Sequence, residues 1–536
     1  MKRYTKLTAI VLAAALLCGC EKIPDWSDNS ESSDSHSNSS DKSGGFAEQI
    51  TDTYSPDEYK VLKQSYVKKF EAEKGAFNGK AMDENGELEN SDKDGFVSLN
   101  EGQYLKQVAT VVSSQFYRVV ISARSDSGAV IKLKIGDTTV GAYSVTSTEE
   151  EESGGEFKLF ALDNLYMSVG MNTLNFSVES GSAEIDCIVV EDSEAVGAEV
   201  YKTGSAPVAE NVSNRTITLL QTLSENYGKV SFLAQNVSCG TNAEINALFG
   251  EFRRYPAIRV SELAQVMKDD EHSAEVIDSD ISLAKEWDAN GGICAYKWHW
   301  YSPNSARAID TEAFDLKTAL GRIDSKEFAM LDDDAIKLQL ENGLMTQDAA
   351  QLLYDIDRLA ETLKILDDAD IPVLFEPIPD GDAGLFWWGN DSGSYKTLWK
   401  IIFLRLTQYN SLKNLVWVWD NGNFDYYPGD KYVDIIGQSF YEKSDSSFAD
   451  CFGTLAGNSA SGRKMLAVTA CDTLPNINYM SRDNAMWLWI APDSGEYLID
   501  MSGNISYNYN KKTALRYAYD NEKCVTRDEL AALGYE

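Results

Sequence analysis

The chain of 536 residues carries 84 acidic and 48 basic side chains, which gives a formal net charge of -36. A surface this acidic repels the phosphate backbone of nucleic acids, so we exclude a nucleic-acid-binding protein. The length allows more than one folded domain and a large hydrophobic core.

The first twenty residues form a targeting segment. Lys2, Arg3 and Lys6 precede an apolar run at residues 7–17 that is too short to span a bilayer. The run is followed by Cys-Gly-Cys, which resembles the bacterial lipobox and implies cleavage before Cys20 and attachment of a lipid there. We therefore expect secretion across the cytoplasmic membrane and lipid anchoring at the bacterial cell surface. A plain secretory signal cut elsewhere is the alternative.

The next segment, residues 21–65, begins with a stretch rich in Ser, Asp and Asn that has almost no large apolar residues. Such a composition cannot bury enough apolar surface to offset the entropy that is lost on folding. We interpret residues 21–65 as a flexible polar tether between the lipid anchor and the folded part of the protein.

Residues 66–193 have the pattern of an all-β domain. In residues 131–135 isoleucine and leucine alternate with lysine, which is the period of a half-buried strand. Residues 116–121 and 173–178 have similar strand patterns, and turns rich in Gly, Asp and Ser lie between the strands. The spacing predicts a β-sandwich, jelly-roll-like in type, followed by a polar linker at residues 194–214.

This predicted sandwich resembles the carbohydrate-binding modules of families 6 and 35. The matching segments are residues 70–73, 94–97, 170–174 and 184–188. In such modules early glutamates and a late aspartate hold a structural calcium ion, so the resemblance implies Glu71, Glu73 and Asp186 as its ligands. Oxygen ligands suit calcium. The alternative is a sandwich with surface acids and no metal.

The cysteines do not indicate a metal site. Six of the eight lie beyond the lipobox at long intervals, at Cys187, Cys239, Cys294, Cys451, Cys471 and Cys524. No C-x-x-C pair or Cys/His cluster has the spacing of zinc ligands, so we expect no zinc. Disulfide pairing outside the membrane and buried free thiols both remain open.

From about residue 215, short apolar runs alternate with longer helical patterns, which predicts a (β/α)8 barrel over residues 215–536. Predicted strands are residues 230–234, 257–260, 292–297, 372–375, 415–419, 435–439 and 465–469. Apolar residues at helical spacing predict a helix over Ala349–Leu366, directly before the fourth strand. Active sites of such barrels lie at the carboxyl ends of the strands.

One stretch, residues 371–389 with the sequence IPVLFEPIPDGDAGLFWWG, suggests a sugar site at such a strand end. Asp380 and Asp382 follow a buried strand, and Trp387 and Trp388 come soon after. Paired carboxylates carry out glycosidic hydrolysis, and sugars stack their C–H faces on aromatic rings. The alternative is that the tryptophans belong to the core and the acids to a solvated turn.

The same stretch resembles the fourth-strand signature of glycoside hydrolase family 26, whose members are mostly β-mannanases on a (β/α)8 barrel. Without gaps, the chain keeps Phe375, Pro377, Phe386, Trp387, Trp388 and Gly389 of that signature. It departs from the family at three positions. The family's arginine falls on Glu376, its histidine on Pro379 and its acid/base glutamate on Asp380.

Further matches follow in the family's order over roughly 320 residues. They are residues 291–303, 417–419, 427–437 and 487–489. The resemblance implies that His299 and Tyr441 form hydrogen bonds with a sugar. It also implies stacking surfaces at Trp298, Trp300, Trp387, Trp388 and Trp487.

The seventh strand lacks the family's nucleophile. In the family a glutamate stands there within a Thr-Glu-x-Gly-like motif, and in this chain its position is Ala470. A methyl group can neither attack an anomeric carbon nor stabilise an oxocarbenium ion. Asp380 keeps a carboxyl that is one methylene shorter, and the family's aspartate after Gly437 falls on Ser439.

Two functional interpretations follow. We favour a surface lipoprotein that engages β-mannan or a related plant β-glycan without hydrolysis, because both catalytic positions have changed. The alternative is an active endo-β-mannanase or related glycosidase that uses a relocated carboxylate, such as Asp472, Glu376 or Asp382. A scaffold that binds a protein through the sandwich would have no glycan affinity in either domain. We expect no cofactor for the barrel, and a monomer.

Overall fold

The computed structural model describes residues 66–83, 85–88, 95–136, 138–147, 156–193, 198–458 and 462–535. The predicted signal segment, Cys20 and the polar tether lie outside these ranges. Among the helices in the described ranges, none combines the length and apolar character needed to cross a membrane.

The first domain consists of antiparallel strands. They are β1 (Val67–Glu71), β2 (Ala76–Phe77), β3 (Lys80–Asp83), β4 (Gly86–Glu87), β5 (Phe96–Asn100), β6 (Tyr104–Val111), β7 (Gln115–Arg124), β8 (Ala129–Ile135), β9 (Thr138–Val145), β10 (Lys158–Met167) and β11 (Gly170–Asp192). The long strand β11 joins two sheets. Its first half pairs with β6 and β8, and its second half pairs with β1, β5 and β7.

Side chains from both sheets share one hydrophobic core. Val97 and Ile121 come from one sheet, and Leu105, Leu133 and Phe176 come from the other. Along β6 buried and exposed residues alternate, as the period of two requires when one face is packed and the other is solvated. The predicted antiparallel β-domain is therefore confirmed.

The second domain is a closed parallel barrel. Its eight strands are β12 (Ser231–Asn236), β13 (Ile258–Glu262), β14 (Ile293–Trp298), β15 (Val373–Pro377), β16 (Leu415–Asp420), β17 (Ile435–Phe440), β18 (Met465–Cys471) and β19 (Trp489–Pro492). Each strand pairs in parallel with the next, and β19 pairs with β12 to close the barrel. A short strand, β20 (Cys524–Val525), adds to the outside of β12. The predicted (β/α)8 barrel is confirmed.

Helices surround this barrel. They are α1 (Asn214–Asn226), α2 (Ala243–Phe252), α3 (Glu271–Ala289), α4 (Leu316–Leu320), α5 (Ser325–Ala329), α6 (Asp333–Glu341), α7 (Gln347–Asp367), α8 (Ser392–Leu404), α9 (Ala449–Ala456), α10 (Ile477–Arg482) and α11 (Lys512–Asp520). The predicted helix over residues 349–366 lies within α7, which begins where the Thr346 hydroxyl accepts from the amide of Ala349.

The two domains are packed against each other. The guanidinium of Arg482 donates to Ser113 Oγ at 3.1 Å and to the carbonyl of Ser114, both in the turn between β6 and β7. Its side chain is buried together with Asp483, its ion-pair partner at 2.6 Å. Phe116 of the β-domain belongs to the same hydrophobic core as the barrel. The β-domain therefore has a fixed position beside the barrel.

The predicted linker also packs on the barrel where it is described. The hydroxyl of Tyr201 donates to the carbonyl of Asn484 at 2.6 Å, and its ring meets Tyr227 edge to face at 4.9 Å. Helix α1 begins at Asn214, the last residue of the predicted linker.

Candidate active site at the carboxyl ends of the strands

A cavity of about 1130 Å³ lies at the carboxyl ends of the barrel strands. This is larger than the roughly 300–1,000 Å³ of a small-molecule pocket, and it suits an extended ligand. Its charged and titratable lining includes Glu262, Lys297, His299, Asp380, Asp382, Tyr441, Glu442, Asp450 and Asp493. The cavity lies where the sequence predicted an active site.

The loop after β15 contains a strained turn that carries Asp380. Ile378 and Asp380 have φ angles of 43° and 51°, in the left-handed region that a β-branched residue such as isoleucine rarely adopts. Two side chains hold the turn. The hydroxyl of Tyr395 donates to the carbonyl of Ile378 at 3.1 Å, and the indole of Trp388 donates to that of Pro379 at 2.9 Å. These two hydrogen bonds therefore hold the strained turn that places Asp380 in the cavity wall.

The predicted stacking role of the tryptophans is wrong. Each of the five side chains is fully buried and none lines the cavity; they are Trp298, Trp300, Trp387, Trp388 and Trp487. Four of them pack on one another, and the indole of Trp387 donates to the carbonyl of Trp300 at 2.7 Å. Trp487 packs instead on Phe440 and Phe452. The aromatic side chains that do line the cavity are Tyr166, Tyr301, Phe386, Phe424, Phe440, Tyr441 and Phe448.

His299 and Tyr441 line the cavity, as their predicted sugar-binding roles require. His299 contacts the carboxylate of Glu262 through Nδ1 and through its backbone amide, the latter at 3.0 Å. Burial alone would lower the pKa of His299, but the charge and hydrogen bond of Glu262 raise it above its ordinary value. The hydroxyl of Tyr441 donates to Asp493 Oδ2 at 2.7 Å. Both side chains therefore have defined positions and polar partners.

A lysine that the sequence analysis missed lies in the floor of the site. Lys297 is 9% exposed and stands opposite Glu376 in the β14–β15 register, with Nζ 3.6 Å from Glu376 Oε1. Burial alone would lower the pKa of Lys297, but the charges of Glu376, Asp420 and Asp493 raise it. Lys297 therefore stays an ammonium group among carboxyl groups.

Glu376, one of the predicted relocated carboxylates, lies outside the cavity. Its side chain is buried and does not line the cavity. Burial raises the pKa of Glu376 well above its ordinary value; Lys297 opposes this shift, while the charge and hydrogen bond of Asp420 add to it.

Asp420, at the end of β16, has a fully buried side chain. Its Oδ2 accepts from Ser439 Oγ at 2.8 Å and from Thr469 Oγ1 at 2.7 Å. In the family resemblance, Ser439 is the position of an aspartate. The carboxylate that β17 lacks is thus provided by the neighbouring strand β16.

Asp380 and Asp382 both line the cavity and both have raised pKa values. Burial, with the nearby charge of Asp420, raises the pKa of Asp380 to about 7, although Lys297 and His299 oppose the shift. Burial and Asp420 raise the pKa of Asp382 to about 6. A carboxyl group that titrates near neutral pH is suited to general acid chemistry. Asp380 keeps this property despite its shorter side chain.

The end of β18 offers no carboxylate to the cavity. Ala470 is 2% exposed, pairs with Ser439 and does not line the cavity. Asp472 does not line it either, because its two carboxylate oxygens accept from the amide of Lys443 at 3.0 and 3.2 Å. The prediction of Asp472 as a relocated catalytic carboxylate is therefore wrong.

A different carboxylate, Asp493, lines the cavity beside this strand end. It follows β19, and its amide donates to the carbonyl of Cys471 at 2.8 Å. The sequence analysis missed Asp493, although its place directly after an apolar strand was a usable signal.

The described residues contain no group of three or more His, Cys, Asp or Glu side chains that could hold a metal ion. Glu71, Glu73 and Asp186 are therefore not assembled into such a group, and Glu71 forms an ion pair with Lys69 at 3.1 Å. Calcium binding in the β-domain stays a prediction. The six described cysteines are free thiols in the structure.

A closed (β/α)8 barrel with carboxyl groups, a histidine and a tyrosine around a large cleft at its strand ends defines a protein of the glycoside hydrolase type. Residues 208–529 match Glycosyl hydrolase family 26, and the chain belongs to that family.

Relatives of this chain include two mannan endo-1,4-beta-mannosidases. Mannan endo-1,4-beta-mannosidase A of Piromyces sp. is 24% identical over 484 residues, which are 87% of this chain and 73% of the relative. The mannan endo-1,4-beta-mannosidase of Thermothelomyces thermophilus is 27% identical over 252 residues. That match covers 45% of this chain and 46% of the relative, so it spans about half of each.

Solved structures share the fold of both domains. A ruminal GH26 endo-beta-1,4-mannanase has a TM-score of 0.59 and 21% identity, covering 88% of this chain and 99% of its own. The Podospora anserina GH26-CBM35 beta-(1,4)-mannanase has a TM-score of 0.54 and 21% identity, covering 88% of this chain and 100% of its own.

Proposed function

We propose that this protein binds β-mannan or a related plant β-glycan in the barrel cavity and does not hydrolyse it. The proposal is supported by the family membership and by relatives that are endo-β-mannanases. The cavity is large, and it combines aromatic side chains with polar groups, as polysaccharide sites require. His299 and Tyr441 are the sugar-binding side chains of this proposal.

One observation supports the proposed absence of hydrolysis: the family's nucleophile is missing. A retaining glycosidase needs a second carboxylate about 5–5.5 Å from its acid/base group. At the family's nucleophile position this chain has the buried methyl group of Ala470, and the nearby Asp472 is bonded to Lys443 outside the cavity. The double-displacement reaction therefore lacks its nucleophile.

The location and the accessory domain are also part of the proposal. Cleavage before Cys20 and lipidation of that residue would anchor the protein at the cell surface. The antiparallel β-domain would act as a carbohydrate-binding module beside the barrel. Mass spectrometry of the mature N-terminus tests the first point, since a lipid-modified Cys20 is expected and an unmodified N-terminus elsewhere would contradict it.

The function is tested by paired assays on one sample that begins at Gly44. Soluble galactomannan and glucomannan are assayed for binding by affinity electrophoresis and for release of reducing ends. We expect retention without release. Tyr441→Phe should weaken retention, whereas Tyr427→Phe should not, because Tyr427 lies outside the cavity and bonds to Asp430. If the protein is retained by neither galactomannan nor glucomannan, the proposal is refuted.

A second candidate function is a glycosidase that uses Asp380 with Asp493. It is favoured by the raised pKa of Asp380 and by the place of both side chains in the cavity wall. If reducing ends are released, and the release is abolished by both Asp380→Asn and Asp493→Asn but not by Asp472→Asn, this candidate replaces the first.

A further inference from the structure

One residue of the β-domain reaches the barrel cavity. Tyr166, near the end of β10, lines the same cavity as Asp380 and His299. Its side chain is half-buried, so part of the ring faces the open space. The cavity wall is therefore formed by both domains.

The position of Tyr166 is fixed by the interface between the domains. Its ring meets Phe116 edge to face at 5.4 Å, and Phe116 is buried in the barrel core. The buried pair of Arg482 and Asp483 secures the turn that leads into the strand of Phe116. Because the ring packs on Phe116, which is itself buried at the interface, it can bind a ligand without first being ordered, which favours affinity.

Polar groups of the barrel line the same cavity as Tyr166. Asp450 and Thr454 of α9 and the nearby Asn458 line the cavity. Burial raises the pKa of Tyr166, and the carboxylate of Asp450 adds to the shift. An aromatic ring beside carboxylate, hydroxyl and amide groups can stack on a sugar ring and hydrogen-bond to its hydroxyls.

We propose that Tyr166 forms an outer sugar subsite with α9, so that one glycan chain is bound by both domains at once. The inference rests on the proposed glycan binding. Its consequence is chain-length selectivity, because only an oligosaccharide that extends from the strand ends to α9 contacts Tyr166.

Calorimetric titration of the intact protein with β-1,4-linked mannooligosaccharides of increasing length tests this subsite. Tyr166→Ala should weaken binding of the longest oligosaccharides by about tenfold and leave binding of the shortest ones within about twofold. Tyr166→Phe keeps the ring and should retain most of the affinity. The control is Tyr104→Ala, because Tyr104 lies on β6 under Lys106 and does not line the cavity.

A second variant covers the case in which Tyr166→Ala does not fold. Thr454 is exposed on α9, and Thr454→Trp fills the subsite from the barrel side, so it should weaken binding of long chains alone. Equal effects on long and short chains, or no effect in the variants that fold, would overturn the subsite. If the unaltered protein binds no oligosaccharide and no polymer, the proposed function fails instead.

Discussion

Replacing Lys297 with methionine tests the charge arrangement beneath the cavity. Its side chain is 11% exposed and pairs with Glu376, and the charges of Asp420, Asp493 and Asp380 also act on its ammonium group. Removing one partner of a buried ion pair costs about 3–5 kcal/mol, because the remaining charge keeps its desolvation penalty. Since Asp380 and Asp493 also reach the open cavity, we expect the lower part of this range, about 3 kcal/mol at pH 8.

The loss of unfolding free energy in Lys297→Met should depend on pH. The folded-state pKa values of Glu376 and Asp380 lie above their ordinary values, so both carboxyl groups bind protons as the pH falls. Protonation removes the charges that Lys297 balances, and Lys297→Met should therefore be less destabilising at pH 5 than at pH 8.

Urea denaturation at both pH values measures this difference in the free energy of unfolding. The matched control is Lys317→Met, because Lys317 pairs with Asp391 at 3.0 Å but is 73% exposed. That exposed pair should contribute no more than about 1 kcal/mol. A loss in Lys297→Met that equals the control, or that is the same at both pH values, would refute the buried-charge argument.

Three further predictions concern the loop and the interface. Because the folded-state pKa of Asp380 is about 7 against 3.8 ordinarily, its contribution to stability is lost as the pH rises from about 4 to 7. The stability of Asp380→Asn relative to the wild type should therefore rise by up to about 4 kcal/mol between pH 4 and pH 8 in denaturant titrations, and a stability difference that does not change with pH would contradict this. Trp388→Phe removes the indole donor to Pro379 and should lower the free energy of unfolding by about 1 kcal/mol, whereas no loss would show that water replaces the bond. Arg482→Met leaves the buried Asp483 without its cation, and calorimetry should then resolve separate transitions of the two domains, while a single unshifted transition would contradict the interface.

The sequence predicted the architecture because the fold depends on patterns within single elements. Seven predicted strands lie in the barrel strands of the structure, but they end one or two residues too early. The missed residues include Glu262 in β13 and Asp420 in β16, both of which are charged. A polar residue interrupts the apolar run that marks a buried strand, so the pattern ends just before the residues that form the site.

The site itself was predicted less well, because it depends on contacts between strands. Lys297 and Glu376 are partners only in the β14–β15 register, which local periodicity does not specify. The tryptophans were assigned to the cavity since aromatic residues at a strand end fit both a sugar site and a core. The structure places them in the core, where the indole of Trp388, for example, donates to the carbonyl of Pro379 in the strained turn.

The changes from the family pattern form a connected set in the structure. At the family's arginine position stands Glu376, and a cation is supplied from the preceding strand by Lys297. At the family's aspartate position stands Ser439, and a carboxylate is again supplied from the preceding strand, by Asp420. Random loss of a catalytic site would leave buried charges without partners, which is destabilising. Here the cation and the carboxylate have both been replaced within contact distance, whereas the nucleophile at Ala470 has no substitute on its own strand. This combination supports the proposal that the cavity binds a glycan without hydrolysing it.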